Sequence, residues 1–274
     1  MTVALRGASA LITGAGGGIG GATAVRFARE GVRHLVLIDI DARSVQRTER
    51  LAREAGAEVT VFGTDVSDAG AMQELAESLE GGPGVPDIIV NNAGIGIAGP
   101  FLDTPLADLE RIVGVNLWGA VHGCRLFGAQ LAQRGRGGHI VNVASAAAFA
   151  PSTILPAYSM TKAAVLMLSE CLRVELAPLH IGVSAVCPGI ISTGIEQRSV
   201  YAGSDPATVD ARRRAATRIY RLRRYPADRV ARRIVAAIRR NSAVVPVTPE
   251  AHLLRGISRV APGLNRRLAA TIRL

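Results

Sequence analysis

Lysine is almost missing from this 274-residue chain: of its 32 basic side chains, only residue 162 is lysine and the other 31 are arginine. A chain that meets its need for charge with arginine and keeps one lysine marks a position where a compact ammonium differs in use from a planar guanidinium. Cysteine is scarce as well. Cys124, Cys171 and Cys187 are odd in number and lack metal-ligand spacing, which excludes a disulfide framework and points to reduced, structural thiols. No apolar run approaches the ~20 residues of a membrane-spanning helix. The first residues, MTVALRGASALITGAGG, hold one arginine and run from a short apolar stretch into a glycine loop. They do not form a signal-peptide pattern, so a cytoplasmic location is expected. The five histidines are scattered, His180 and His252 read as surface residues, and no metal site is expected. The arginines belong to no known nucleic-acid-binding module, so no nucleic-acid partner is expected.

What is present is a large apolar fraction, 49%, together with 30 glycines, which suits a globular α/β chain rather than a disordered one. The net charge of +10 is unevenly spread. Residues 1–211 hold 15 basic and 20 acidic side chains, whereas residues 212–274 hold 17 arginines against Asp228 and Glu250. An electrostatic partner belongs at the C-terminal end.

Short β-branched runs alternate with helical patterns. Strands are expected at SALIT (9–13), HLVLIDI (34–40), EVTVFGTDV (58–66), PDIIVNN (86–92), GHIVNVAS (138–145), GVSAVCP (182–188) and AVVPV (243–247), and helices, among others, at 20–31 and 161–176. Solidly apolar strands suit a parallel sheet buried on both faces. Repeated β-then-α order predicts a single-domain α/β fold with a Rossmann-like, doubly wound, seven-stranded parallel sheet. Residues 1–248 would form the catalytic domain, with 194–225 as a strandless lid over the C-terminal sheet edge. Residues 249–274 would add a basic amphipathic extension, with Leu253, Ile257, Val260, Leu264, Leu268 and Ile272 at three- and four-residue spacing and a break at Pro262–Gly263.

TGAGGGIGG (13–21) follows the first strand and opens a helix. Glycines let backbone N–H groups approach a pyrophosphate, and a helix N-terminus favours its charge. Asp39 ends the second strand 19 residues after Gly20, where a carboxylate can hold adenosine ribose hydroxyls. That carboxylate would repel the 2′-phosphate of NADP, and no basic residue stands in the glycine turn. Arg43 belongs to the following helix. NAD is therefore favoured over NADP.

Tyr158 and Lys162, in YSMTK, are four apart and share one helix face. A phenol with a pKa near 10 is a poor base at neutral pH. A neighbouring ammonium favours the phenolate and can also donate to ribose hydroxyls. With these residues the chain resembles the short-chain dehydrogenase/reductase family over about residues 5–247. The ordered motifs are TGAGGGIG (13–20), Asp65, NNAG (91–94), Asn116 in VNLWG, Ser145 in IVNVAS, YSMTK and PGIIST (188–193).

The resemblance implies Tyr158 as general acid/base, with Lys162 lowering its pKa and binding ribose. It implies Ser145 as the hydrogen-bond partner of the substrate oxygen and Asn116 as the holder of a relay water. For the cofactor it implies Gly14, Gly18, Ile19 and Gly20 in the turn, and Asp65 and Val66 at the adenine. It further implies Asn92, Ala93 and Gly94 along the cofactor, and Pro188, Ile191 and Thr193 at the carboxamide. Homo-oligomers, tetramers or dimers, are common in the family.

AAAFAPSTILP (146–156), with Ile95 and Ile97, either lines an apolar pocket for a hydrophobic secondary alcohol or ketone or belongs to the core. Residues 212–240, with 12 arginines and one acid, admit three readings. They attract an anionic substrate handle such as a CoA ester, or serve peripheral membrane contact together with the tail. In the favoured reading they are the solvated face of helices that pack Val230, Ile234 and Ile238 inward, with the tail covering a neighbouring subunit. The alternatives to an alcohol dehydrogenase are a reductase of 3-oxoacyl thioesters and a noncatalytic NAD-binding or membrane-associated protein of the same fold.

Overall fold

In the computed structural model, which describes residues 3–82, 84–202, 206–223 and 225–271, each apolar run becomes a strand with a core on either side. The order is β1 (Ser9–Thr13), α1 (Gly18–Arg29), β2 (His34–Asp39), α2 (Gln46–Glu54), β3 (Glu58–Gly63), α3 (Ala69–Glu80) and β4 (Ile88–Asn91). Then come β5 (Ile97–Ala98), α4 (Leu106–Val113), α5 (Gly119–Arg134), β6 (Gly138–Val143), α6 (Pro156–Glu175) and β7 (Ile181–Cys187). The rest is α7 (Ile195–Arg198), β8 (Val200–Tyr201), α8 (Pro206–Arg223), α9 (Ala227–Arg240), β9 (Val244–Pro246), α10 (Pro249–Val260) and α11 (Pro262–Thr271).

Seven parallel strands form one sheet in the order β3-β2-β1-β4-β6-β7-β9, as the alternating pattern predicted. The chain reverses direction across the sheet between β1 and β4, so the loops after these strands open a crevice at the C-terminal edge. Register places Leu11 between Val36 of β2 and Ile89 of β4.

Alternation of side chains explains the unbroken apolar runs. Ile12, Leu35 and Leu37 face one core, shared with Phe27 of α1 and with Val230, Ile234 and Ile238 of α9. Leu11, Val36 and Ile38 face the other, shared with Met72 of α3 and Phe127 and Leu131 of α5. Each such side chain contributes roughly 1.5–3 kcal/mol by leaving water. The inward stripe expected of 230, 234 and 238 is thus observed, and the arginines of α9 lie on its other side.

Several expectations need correction. β2 and β3 stop at Asp39 and Gly63, short of residues 40 and 66, where pairing ends and the chain turns into the site. α6 starts at Pro156, five residues earlier than expected, because a proline at the first helical position gives up an N–H that has no intrahelical partner. The lid is not strandless: Val200–Tyr201 pairs in parallel with Ile97–Ala98, which joins the lid to the loop after β4. Of the tail stripe, Leu253, Val260, Leu264 and Leu268 face solvent, Ile257 is half-buried, and Ile272 lies outside the described residues. Cys124 and Cys187 are buried and free, and burial pushes their thiols up to about 11 and about 12, which keeps them unreactive. Cys171 is exposed. His180 and His252 are on the surface, as read from the sequence.

Candidate active site at the switch point

The two loops at the crevice are laced together by side chain–backbone hydrogen bonds. Thr13, last in β1, accepts from the N–H groups of Asn92 and Ala93 at 2.9 and 3.0 Å through its Oγ1. Asn92 Nδ2 donates back to Thr13 O at 2.9 Å and Gly14 O at 3.2 Å. Such closeness leaves no room for a side chain. Gly14, at φ +66°, would bring a Cβ within 2.9 Å of Ala93 Cα, and a Cβ on Gly20 would collide with Gly14 O. The first turn of α1 carries neither a side-chain cap nor an acid. Its N–H groups therefore remain available to an anion. Gly17, the residue at the cap, faces open space, and Ile19 packs against the core behind the turn.

Asp39 reaches this turn from the end of β2, where its Oδ2 accepts from Gly16 N at 2.9 Å. Arg43 is drawn to Asp41, with Nε 3.5 Å from its carboxylate, and offers no cation beside Asp39. Further along the edge, Asp65 accepts from both Ser67 N and Ser67 Oγ through one oxygen, and Val66 is buried against Gly119. On the far side, Pro188 O accepts from Ala146 N at 2.7 Å, Ile191 is buried, and Thr193 Cβ stands 3.1 Å from where Gly18 would carry its own. A glycine cradle, an uncapped helix end and a carboxylate at the second strand suit the phosphates and ribose of a dinucleotide, so these residues fit the cofactor.

The four candidate catalytic residues come together beside the cradle. Lys162 is 4% exposed; its Nζ donates to Val143 O at 2.9 Å and lies 5.8 Å from the centroid of the Tyr158 ring. Ser145 follows β6; its Oγ accepts from Ala147 N at 3.1 Å and lies near enough to Tyr158 to favour the ionised phenol. Asn116 sits in a single π-helical turn, Gly114–Trp118, between α4 and α5. Such turns re-aim a side chain within a helix. Its Oδ1 accepts from Ile95 N at 2.8 Å, and its Nδ2 donates to Ile95 O at 3.0 Å and Thr161 Oγ1 at 3.2 Å. Gly94 is where both meet: a Cβ there would stand 3.2 Å from Asn116 Oδ1 and 3.5 Å from Lys162 Nζ.

The electrostatics differ from the sequence expectation. Burial raises the Tyr158 pKa, and Ser145 opposes that shift; Lys162 is not among the groups that lower it. Lys162 itself is pushed down to about 8, again by burial. Both groups lose water on folding, and the ammonium spends a donor on Val143 O rather than on the phenol.

The apolar stretch divides. Ile97 is fully enclosed with Ile112 and Ala157, and Phe149 packs with Val165 and Cys187, so both are core. Ile95 is half-buried beside Tyr158. Three contributions escaped sequence reasoning. Thr13 lay inside the quoted glycine motif, and its β1-terminal hydroxyl was the available signal. Thr161, next to Lys162, holds Asn116. Glu250, at the start of α10, accepts from Ile190 N at 3.3 Å and pairs with Arg223 of the lid at 3.5 Å, a tertiary contact without a local signal.

The doubly wound sheet carries a glycine turn at its switch point and a tyrosine–lysine pair at the same edge. The family model for short chain dehydrogenases matches residues 8–202, and the chain belongs to that family. It is 47% identical over 260 residues to probable oxidoreductase EphD of Mycobacterium tuberculosis, covering 94% of this chain and 44% of that protein. The chain thus spans less than half the length of that relative. It is 36% identical over 191 residues to 1-deoxy-11-beta-hydroxypentalenate dehydrogenase of Streptomyces avermitilis, covering 69% and 70% of the two chains. A short chain dehydrogenase/reductase from Burkholderia phymatum, solved in complex with NAD, superimposes with a TM-score of 0.89 at 30% identity over 99% of this chain and all of that one. A short-chain dehydrogenase from Sphingobium yanoikuyae, solved with NADPH, gives 0.75 at 28% identity over 97% and 96%. Among the described residues no helix is long and apolar enough to cross a membrane, and no cluster of His, Cys, Asp and Glu is placed to hold a metal.

Proposed function

We propose that this chain interconverts a secondary alcohol and a ketone with NAD(H), and that Tyr158 is its general acid/base. The observation that carries the reading is the Ser145–Tyr158–Lys162 constellation beside the glycine cradle, with Ser145 and Lys162 buried and Tyr158 half-buried. A nicotinamide cofactor held at the glycine cradle would supply the hydride chemistry. Tyr158 exchanges the hydroxyl proton, and Ser145 orients the substrate oxygen toward it. Lys162 would donate to the ribose of the bound cofactor. Asn116 fixes Ile95 and Thr161 beside this group and joins a water relay through the remaining lone pair of its Oδ1.

NAD rather than NADP is supported by Asp39 in the glycine turn and by Arg43 being paired to Asp41. Half-buried Ile95 beside Tyr158 supports an apolar substrate under the 194–225 lid. On α6, Met160, Met167 and Val174 recur every seven residues and are exposed, which supports assembly of two or four copies through that face. Residues 1–248 are read as the catalytic domain and 249–274 as its extension.

The test is Tyr158→Phe. Turnover with a panel of secondary alcohols should fall about 10³-fold or more while NAD binding is retained. Full activity in that variant would sink the assignment, and equal kcat/KM for NAD and NADP would remove the cofactor preference. Because burial raises the Tyr158 pKa above the ordinary phenol value of 10.0, alcohol oxidation should keep climbing with pH through 10, while ketone reduction should stay level until pH passes that value.

A further inference from the structure

The C-terminal helices leave an apolar side uncovered that catalysis does not use. α10 docks through Ala251, which is fully buried, and through Arg255, whose Nη1 donates to Val244 O at 3.1 Å. Leu253 and Val260 lie about 160° and about 180° around the helix from Ala251, on the outer side. They are 63% and 87% exposed. α11 docks through buried Asn265, whose Nδ2 donates to Phe149 O at 2.8 Å, and leaves Leu264 and Leu268 exposed by 50% and 45%. Scattered apolar residues on a surface are ordinary, but these four fall on two consecutive helices that dock through other residues. Exposed Arg259, Arg266 and Arg267 accompany them, and after Glu250 the chain contains no acid.

We propose that α10 and α11 are a docking surface for an anionic lipid bilayer. The helices lie in the headgroup plane, with the four apolar side chains inserted and the arginines against lipid phosphates. Charge decides the occupant. An isologous contact between two copies pairs a patch with itself. It would bring together two faces that each present exposed Arg259, Arg266 and Arg267, with no acid after Glu250 to offset them. An anionic surface meets the same patch with attraction, and an arginine-flanked leucine face is the composition that binds bilayer interfaces. The contact is peripheral, because no described helix can span a bilayer. Asn265 ties α11 to Phe149, four residues beyond Ser145, so the docked face adjoins the segment that follows a candidate catalytic residue.

The experiment is sedimentation of the full chain with vesicles of phosphatidylcholine alone and with vesicles containing phosphatidylglycerol. Partition into the anionic vesicles should be about tenfold higher at low salt and fall as salt is raised. A Leu264→Glu/Leu268→Glu double variant, altered only at exposed positions, should lose about tenfold in partition while keeping wild-type melting and turnover. Equal partition into both vesicle types, or an unchanged double variant, overturns the proposal. So does a wild-type oligomer that dissociates in the double variant by light scattering, since that outcome gives these side chains to a second copy.

Discussion

Residues 1–211 and residues 212–274 use positive charge in opposite ways. The first region is acid-leaning, and its one lysine is buried at the site with its ammonium held by a backbone carbonyl. The second carries 17 arginines; those of α9 sit on the outer side of a helix whose inner face packs on the sheet, and those of α11 are exposed. Position rather than sign separates the two uses. A buried charge is sensitive to size, hydrogen-bond geometry and proton affinity; an exposed one is screened and interchangeable.

The widest gap between the regions should appear at residue 162. Lys162→Arg keeps the charge, yet the larger fork must fit beside Val143 O and Gly94 and cannot shed its proton. Turnover should drop about 10²- to 10³-fold in steady-state assays with folding intact. Wild-type activity would make this basic residue no different from those of the C-terminal end.

Next in size is acid stability. His139 in β6 is buried, with its Nε2 2.9 Å from Ser184 Oγ, and burial lowers its pKa from 6.5 to about 4. The folded chain therefore stays neutral there while the unfolded chain takes up a proton below pH 6.5. Stability should fall as pH drops from 6.5 to 4 and level off below, by at most roughly 3 kcal/mol from this residue. Urea unfolding across that range checks it, and a His139→Gln variant should show a flatter slope.

Gly20→Ala, whose Cβ would strike Gly14 O, should weaken NAD binding about tenfold or more by calorimetry. The smallest effect is expected at the basic end. Arg232, half-exposed and paired to Asp228 at 3.2 Å within α9, should tolerate lysine with a stability change within about 0.5 kcal/mol. A large loss there would erase the distinction between the two regions.

Much of the site was legible because its signals are local. A glycine turn between strand and helix, an acid ending the next strand, and a Tyr–Lys pair one helical turn apart each announce themselves within a few residues. Their spatial meeting followed from the sheet order alone. The lid strand Val200–Tyr201 was not legible, because two residues carry no periodicity and its partner lies about a hundred residues away in the chain. The roles of Thr161 and Glu250 were hidden for the same reason: each depends on what a distant element brings within hydrogen-bond reach.

The amino-acid order by itself determined the α/β alternation, the parallel sheet, the cradle, the tyrosine–lysine pair and the polarity of charge along the chain. Only the tertiary structure decided which way each amphipathic face points. The stripes of α9 and of the tail look alike in sequence, yet Val230, Ile234 and Ile238 are covered by the sheet while Leu253 and Val260 meet solvent. Periodicity states that a helix has an apolar side; burial depends on whether another surface is there to receive it. The same dependence governs Tyr158 and Lys162, whose spacing promised a shared face but whose proton affinities were set by the water that folding removed.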